Sequence, residues 1–506
     1  MSKQLVQHWD KITDVVVVGY GYAGAISAIT AHDLGAKVTL IEKQSRTGGL
    51  SIFAGGGFRS ADDPDSAFRY LRRTCLNTVP DDVLWSAAIG FTRVLDILKP
   101  LLDNAGVSYL ERHNTGGTYP FEGGQTFGYF KAKIDKRIER YPWLHSHGSG
   151  WIILKLLEQE VKKRSIEVLL NTRLINFVTN DDGCVVGCET RSLESPKLSI
   201  KARKAVILAC GGFEQNEEMK IQFIQGQPVY ADCPSSNEGD GIKAASLLGA
   251  KLWHMWHLHG SYGFKRPEFE VAFRHHYGGG TKDNEPRKFP WIIVDKFGRR
   301  YMNEQPLAPQ DTPWREMMQY DTDIQDYPRI PSYLIFNDVA RNEGPLFVTH
   351  YTDLDPPSVK YEWSADSSVE IEKGWIKKSE SIEDLAILIS VPPSTLAETL
   401  ASWNAICSNG KSDLFRRPAE TLSPIDMPPY YAVEVWPIVT NTQGGIAHDS
   451  GQRVIDAFNR PIPHLYVAGQ LGSIFGHLYL QAGNAAEAIF SGKLAAENAI
   501  KEPSLD

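Results

Sequence analysis

Several features that mark membrane, secreted or nucleic-acid-binding proteins are missing from this 506-residue sequence. Its uninterrupted apolar stretches, such as DVVVVG, are far shorter than the roughly 20 residues that span a bilayer. The opening residues, MSKQLVQHWDKITD, lack the apolar core of a signal peptide. Lys and Arg number 53 against 61 Asp and Glu, so the net charge of −8 provides no basic surface for nucleic acid. We therefore expect a cytoplasmic protein with neither a membrane span nor a nucleic-acid partner.

Cysteine is scarce as well. No two cysteines form a C-x-x-C pair, which haem attachment and iron–sulfur binding would need. We interpret all six as reduced thiols: Cys75, Cys184, Cys188, Cys210, Cys233 and Cys407. The length predicts two or more domains.

The first recognisable motif is a nucleotide-binding turn. The segment DVVVVGYGYAG begins with an unbroken β-branched run, which is typical of a strand buried on both faces. Gly19, Gly21 and Gly24 then form G-x-G-x-x-G, and a helix is expected from about Tyr22 to Leu34. Its N-terminus suits a pyrophosphate, and Glu42, after a second strand, suits the ribose hydroxyls. The pattern predicts dinucleotide binding.

A second glycine-rich segment, EKQSRTGGLSIFAGGGF, follows directly. Gly48, Gly49 and Ser51, with the glycines at 55–57, would form a second cradle lined by backbone. An NAD domain rarely needs a second cradle, whereas FAD must also be held along its ribityl chain and ring. FAD is therefore the expected cofactor.

At this point the sequence resembles the fumarate reductase/3-ketosteroid dehydrogenase superfamily of flavoproteins. Further matches in the right order are NTRLINFV, KAVILACGGFEQN, NEGDGIKAASLLGAKL and GGIAHDSGQRVIDAFNRPIPHLYVAGQLG. Two departures are Cys210 where the family has Thr and Gln470 where Glu is usual. The resemblance implies an α/β fold, in which a Rossmann-like FAD-binding domain of glutathione-reductase type (1–258 and 434–506) is split by an α+β capping domain (259–433). Residues 60–150 are expected to be helices with a Gly- and aromatic-rich loop.

The resemblance also implies the FAD contacts. They are Gly19, Gly21, Tyr22, Ala23, Gly24, Glu42, Lys43, Gly48, Gly49, Ser51, Gly55, Gly56, Leu174, Ala209, Gly211, Asp240, Gly469, Gln470, Gly483 and Asn484. Relatives with covalent flavin carry a His in the stretch that matches GGLSIF. Here Leu50 and Ser51 stand there, so FAD is expected to be bound non-covalently.

The loop GQLGSIFGHLYLQAGN, at residues 469–484, carries the substrate argument. By resemblance, it precedes a helix whose N-terminus points at the flavin. Fumarate reductases grip carboxylates with a His and an Arg in this loop, but Gly476 and Leu480 stand at those positions. This argues against a small dicarboxylate substrate, because Leu lacks the bidentate donors of Arg. His477 and Tyr479, together with the upstream segment LWHMWHLHGSYGF, favour a larger and partly apolar carbonyl compound.

The candidate catalytic residues are His477, Tyr479, His259 and Arg315. Three hypotheses remain open: an FAD-dependent dehydrogenase that desaturates the bond beside a carbonyl of a cyclic or hydrophobic ketone or carboxylic acid, an enoate or enone reductase, and a flavin-binding protein without catalysis. In the first, a Tyr or His base takes the α-proton; in the second, Arg315 is a candidate proton donor. His254, His257 and His259 have no carboxylate or Cys partners suggested nearby, so a metal site is not expected. The electron acceptor and the oligomeric state are not indicated.

Overall fold

The computed structural model describes residues 8–133, 149–192, 195–275, 290–348, 361–410 and 413–505. The chain divides into two compact units. Unit 1 consists of Met1–Met219, Ser235–Leu258 and Asn441–Asp506, and unit 2 of Lys220–Pro234 and His259–Thr440.

The regular elements are numbered along the chain. The α-helices are α1 (Tyr22–Asp33), α2 (Pro64–Cys75), α3 (Asp81–Ala105), α4 (Ser149–Lys163), α5 (Glu217–Phe223), α6 (Asp240–Ser246), α7 (Pro313–Met317), α8 (Asp338–Arg341), α9 (Ser368–Glu372), α10 (Ile382–Leu388), α11 (Pro393–Asn409) and α12 (Gly483–Ala499). The strands are β1 (Lys11–Val18), β2 (Val38–Ile41), β3 (Gly57–Ala61), β4 (Ser108–Arg112), β5 (Phe127–Lys133), β6 (Glu167–Leu169), β7 (Arg173–Thr179), β8 (Val185–Arg191), β9 (Leu198–Leu208), β10 (Tyr230–Ala231), β11 (Leu252–Trp253), β12 (Leu258–Phe264), β13 (Phe273–His275), β14 (Trp291–Val294), β15 (Ser332–Asn337), β16 (Phe347–Val348), β17 (Ile376–Ser379), β18 (Tyr430–Thr442), β19 (Gly445–Ile446), β20 (Arg453–Ile455) and β21 (Pro461–Val467).

An eight-stranded sheet forms the centre of unit 1. Its main path is β20-β21-β9-β1-β2-β6, and β8 and β7 extend from β9 as antiparallel strands. β1 pairs in parallel with both β2 and β9. Val15, Val16 and Val17 are fully buried and Val18 nearly so, as the β-branched run predicted. The sheet ends at the Gly19 turn, where the candidate cofactor site begins.

A small second sheet in unit 1 was not predicted. β3, β5 and β4 form an antiparallel sheet within the stretch that was expected to be only helices and loop. The aromatic residues Phe127, Tyr129 and Phe130 belong to β5, and Phe127 and Phe130 are fully buried. Alternate burial along this strand gives its aromatic side chains a core, so the segment forms a strand and not a loop.

Unit 2 contains a second eight-stranded sheet. Its path is β14-β15-β18-β12-β13-β16, with β10 and β17 paired to β18. Helices α10 and α11 contribute to a core that includes Leu385, Leu396 and Trp403. α11 has 17 residues and begins at Pro393, whose missing N–H is tolerated at the first position of a helix.

Four charged side chains form a buried cluster in unit 2. Glu304 accepts hydrogen bonds from Arg300 Nη2 at 2.7 Å and from Arg417 Nη1 at 3.1 Å. Arg300 also pairs with Asp413. The side chains of Glu304, Asp413 and Arg417 are fully buried. Two positive and two negative groups therefore balance inside the domain.

The unit limits differ from the predicted domain limits 258/259 and 433/434. Residues 220–234 belong to unit 2, because Tyr230 and Ala231 pair in parallel with Ile438 and Val439 of β18. The same strand extends unit 2 to Thr440. No helix in the described ranges is long and apolar enough to cross a membrane.

Candidate functional site

The turn after β1 has the geometry that a pyrophosphate needs. Gly19 has φ +101°, and a Cβ there would lie 2.5 Å from the Ala209 oxygen. A Cβ on Gly24 would lie 1.8 Å from the Gly19 oxygen, so the helix can pack only without a side chain. α1 begins with no side-chain cap and no acidic residue in its first turn. Its positive end is thus left for an anion.

The second glycine segment is joined to this turn by two hydrogen bonds. Gly48 N–H donates to the Tyr20 oxygen at 2.7 Å, and Tyr22 N–H donates to Ser51 Oγ at 3.1 Å. A Cβ on Gly21 would lie 2.9 Å from Ser51 Oγ. The two predicted cradles are therefore one structure, which FAD fits. Its other predicted members are Ala23, which is buried, Gly49 and Gly56, which have φ +47° and +75°, and Gly55, which is exposed.

Glu42 lies at the end of β2 and is 6% exposed. Its carboxylate accepts hydrogen bonds from Tyr20 N–H at 2.8 Å and Gln44 N–H at 2.9 Å. Burial raises the pKa of Glu42, while these backbone donors lower it. Each carboxylate oxygen keeps a second lone pair, so the ribose hydroxyls of FAD could still donate to it.

Lys43 and Asp240 form part of an ion cluster. Lys43 Nζ lies 2.9 Å from Asp240 and 3.1 Å from Glu238, and Arg173 Nη2 bridges the same two carboxylates at 2.5 and 2.8 Å. Lys43 and Asp240 were predicted from the sequence, whereas their partners Glu238 and Arg173 were not. The cluster joins the end of β2 to the starts of β7 and α6.

The remaining predicted cofactor positions of unit 1 lie on three segments. Leu174 is a buried residue of β7, and Ala209 follows β9 with its N–H bonded to the Val18 oxygen at 2.8 Å. Gly211 and Gly469 have φ values of +75° and +69°. Gln470 is partly buried, and its Nε2 donates to Glu214 at 3.0 Å.

Gly483 and Asn484 begin α12, as the sequence predicted. The helix has no side-chain cap and no acidic residue in its first turn. The Asn484 amide exchanges two hydrogen bonds of 2.9 Å with the amide of Gln443. A Cβ on Gly483 would lie 2.4 Å from the Phe475 ring, so the loop folds back tightly onto the helix.

Glu487, which was not predicted from the sequence, binds the loop that precedes α12. It is 2% exposed and accepts hydrogen bonds from Ile474 N–H at 2.7 Å and Ser473 Oγ at 2.9 Å. Burial raises the pKa of Glu487 to about 8, against the lowering effect of these donors. Its position one turn into α12 is a weak sequence signal, because a helical Glu is usually exposed.

Tyr479 and His477 occupy different environments. Tyr479 is 5% exposed, and its ring lies edge-on to Phe475 with centroids 5.3 Å apart. Burial raises the pKa of Tyr479 far above its usual range, and the backbone N–H groups of Asn484 and Ala482 lower it only in part. The hydroxyl thus stays protonated. His477 is half-buried, with its ring 5.7 Å from that of Trp256.

Gly476 has no room for a side chain. A Cβ there would lie 1.9 Å from Thr78 Oγ1 and 3.2 Å from His254 Nδ1. His254 Nε2 bonds to the Ser473 oxygen at 2.8 Å. His257 Nδ1 bonds to the Phe475 oxygen at 2.5 Å. Both histidines therefore support the loop, and Thr78 fills the space that a His at position 476 would need.

The two candidates of unit 2 meet at one turn. His259 Nε2 lies 3.0 Å from Gln310 Oε1, and Arg315 Nη2 donates to Asp311 at 3.0 Å. The guanidinium of Arg315 also lies 4.7 Å from the Trp314 ring centroid. Arg315 thus has a carboxylate partner within its own unit, which favours a structural role over proton donation. Within the described ranges, no group of three His, Cys, Asp or Glu side chains could hold a metal ion.

Comparison with known proteins gives a family match over most of the chain. The model of the FAD binding domain family matches residues 14–486. The sequence is 26% identical to the probable fumarate reductase Ifc3 of Shewanella frigidimarina, over 99% of this chain and 77% of that protein. Identity is also 26% to a vinyl phenol reductase of Lactiplantibacillus plantarum, over 90% and 89% of the two chains, and to a 3-oxosteroid 1-dehydrogenase of Mycolicibacterium smegmatis, over 96% of both.

Solved structures share the fold. A 3-ketosteroid delta1-dehydrogenase from Sterolibacterium denitrificans superposes with a TM-score of 0.80 at 22% identity, covering 97% of this chain and 100% of that one. An open flavocytochrome c3 fumarate reductase gives 0.70 at 21% identity, covering 97% and 79%. The expected α/β FAD-binding fold is confirmed.

Proposed function

The chain belongs to the FAD binding domain family and is an FAD-dependent oxidoreductase of the fumarate reductase and ketosteroid dehydrogenase type that acts on carbon–carbon bonds, and we propose that it reduces a C=C bond conjugated to a carbonyl group. The substrate is an enone or an enoate. FAD is held by the joined glycine segments, by Glu42 and by the start of α12. When bound, FAD exchanges a hydride with the substrate carbon.

Similarity to a probable fumarate reductase and a vinyl phenol reductase supports reduction, and Tyr479 is the candidate donor for it. Reduction needs a proton donor for the α-carbon or a hydrogen-bond donor for the carbonyl oxygen, whereas desaturation needs a base. Burial keeps the Tyr479 hydroxyl protonated, since its pKa lies far above the usual range. A neutral phenol can donate but is a poor base. His477, half-buried two residues earlier, is the second group that could move a proton.

Desaturation of a hydrophobic ketone or acid is the second candidate. It is supported by the apolar side chains of the loop, with Ile474, Phe475 and Leu480 nearly or fully buried, and by the similarity to 3-oxosteroid 1-dehydrogenase. In that direction Tyr479 would hold the carbonyl oxygen, and His477 would have to take the α-proton. The alternative with Tyr479 as the base requires that its hydroxyl first pass its proton to an acceptor.

One experiment separates the two directions. Enzyme reduced anaerobically with dithionite is mixed with enones and enoates, and oxidised enzyme is mixed with the saturated ketones and acids. We expect rapid reoxidation in the first arm and slow bleaching in the second. Fast bleaching with no reoxidation would reverse the assignment, and no reaction in either arm would contradict catalysis at this site.

Tyr479→Phe keeps the ring and removes the donor, so it should slow reoxidation on the order of 10² to 10⁴. Tyr466→Phe is the matched control. Tyr466 is also a buried tyrosine and lies on β21, and its hydroxyl donates to Glu502 at 2.6 Å. The control should lose thermal stability but keep its reoxidation rate. If both variants react like the wild type, Tyr479 is not the donor.

A further inference from the structure

Arg59 is a charged residue that the sequence analysis did not single out. It lies on β3 and is partly buried. Its Nε donates to the Gln481 oxygen at 2.9 Å, and its Nη1 donates to Thr115 Oγ1 at 3.0 Å and to the Gly116 oxygen at 3.1 Å. All three acceptors are uncharged.

No carboxylate of the described residues pairs with the guanidinium. Among the described residues, Arg59 forms no ion pair with Asp or Glu, and Nη2 makes no hydrogen bond. The ionisable groups that face it are Tyr70, Tyr129 and Tyr479. Burial lowers the pKa of Arg59, and its interactions with the three tyrosines raise it only in part. Nη2 therefore presents two N–H donors that an anionic oxygen could accept.

Arg59 lies beside the loop that carries the proposed proton donor. Gln481, whose carbonyl it binds, stands two residues after Tyr479 and immediately before Ala482, the N-cap of α12. The first turn of α12 has no acidic residue, so the helix adds positive potential in the same region. Two independent sources of positive charge thus meet at one end of the loop.

We propose that Arg59 is a specificity-determining residue that binds the carboxylate of the substrate, so that the enzyme selects enoates over neutral enones. The proposal rests on the proposed function, since it names the substrate class of the same site. Leu480 led to the expectation that this site lacks an Arg that could bind a carboxylate. Under the proposal, the neighbouring strand β3 supplies that Arg. The other source of an anionic oxygen would be the flavin ring, and the experiment distinguishes the two.

The test measures binding to the oxidised holoenzyme, where no turnover is needed. Acrylate and cinnamate are titrated against acrylamide and cinnamamide, which match them in size but carry no charge, and the flavin absorption spectrum reports binding. Arg59→Gln removes the charge, and Arg59→Lys keeps it. Arg112→Gln is the control, because Arg112 flanks Tyr129 from β4 as Arg59 does from β3, but is exposed.

We expect Arg59→Gln to weaken carboxylate binding about 10- to 100-fold and to leave amide binding within about threefold. Arg59→Lys should be intermediate, and Arg112→Gln should match the wild type. Retained FAD content and thermal midpoint show that each variant is folded. If Arg59→Gln weakens only the binding of carboxylates while the wild type reduces no C=C bond, that result would support the role of Arg59 and contradict the proposed function.

Three results would overturn the proposal. One is equal weakening of acids and amides by Arg59→Gln, with a lower midpoint potential of bound FAD, which would assign the charge to the flavin. Another is binding of amides but not acids by the wild type. The third is binding of neither up to about 10 mM, because a guanidinium that pairs with no carboxylate of the described residues should hold small carboxylates at millimolar concentration.

Discussion

Gly476→Ala should destabilise the protein although it adds only one methyl group. A Cβ at this position would lie 1.9 Å from Thr78 Oγ1 and 2.9 Å from Thr78 Cβ. Neither contact can be relieved by a small rotation, since Thr78 Oγ1 is fixed by its 2.6 Å hydrogen bond to the Cys75 oxygen. Overpacking of this kind costs about 1–3 kcal/mol.

The cause can be isolated with a double-mutant cycle. Thr78→Gly removes both crowding atoms. In that background, the loss in free energy of unfolding caused by Gly476→Ala should be smaller than in the wild type by at least about 1 kcal/mol. The free energy of unfolding is measured with urea on the FAD-free and FAD-bound forms. If Gly476→Ala is neutral in the wild-type background, or if the two changes are additive, Thr78 does not close the space and the argument against a His at position 476 fails.

Three further predictions concern the cofactor site and its supports. Gly21→Val should abolish FAD binding, because even a Cβ would lie 2.9 Å from Ser51 Oγ; full FAD occupancy by absorbance would contradict the placement of the phosphate turn. Acid precipitation should release all the flavin, because Leu50 and Ser51 provide no covalent attachment, and flavin in the pellet would disprove this. Burial raises the pKa of Glu487 from 4.5 to about 8, so its contribution to stability is present below about pH 4.5 and is lost as the pH rises through 8. Glu487→Gln should therefore flatten the decline of the thermal midpoint over that interval, and an unchanged pH profile would count against it.

Residues whose identity is set by local backbone geometry could be predicted from the sequence, whereas residues whose role depends on contacts between distant segments could not. Gly19 is required by its positive φ and Gly24 by a contact within the same turn, so a spacing rule finds them and the fold that follows from them. The start of α12 at Gly483 was found by the resemblance of the preceding loop to that of the family.

Thr78, Arg59 and Glu487 could not be found by spacing. Each acts on the loop before α12 through a contact made only in the folded chain, and two of them lie some 400 residues away in sequence: Arg59 and Gln481 are separated by 422 positions. The β3-β5-β4 sheet was missed for a related reason, because short aromatic strands and loops look alike until their burial is known.

The buried cluster of Arg300, Glu304, Asp413 and Arg417 limits which substitutions these four positions can accept during evolution. Removing any one member leaves an unpaired charge in the interior, which typically costs about 3–5 kcal/mol. A domain of ordinary stability holds only about 5–15 kcal/mol in reserve, so single substitutions here would be purged by selection. Replacing all four together with well-packed apolar residues can be neutral or stabilising. The four positions should therefore be inherited as a block, either all charged or all apolar, and mixed sets should be rare among descendants of this chain.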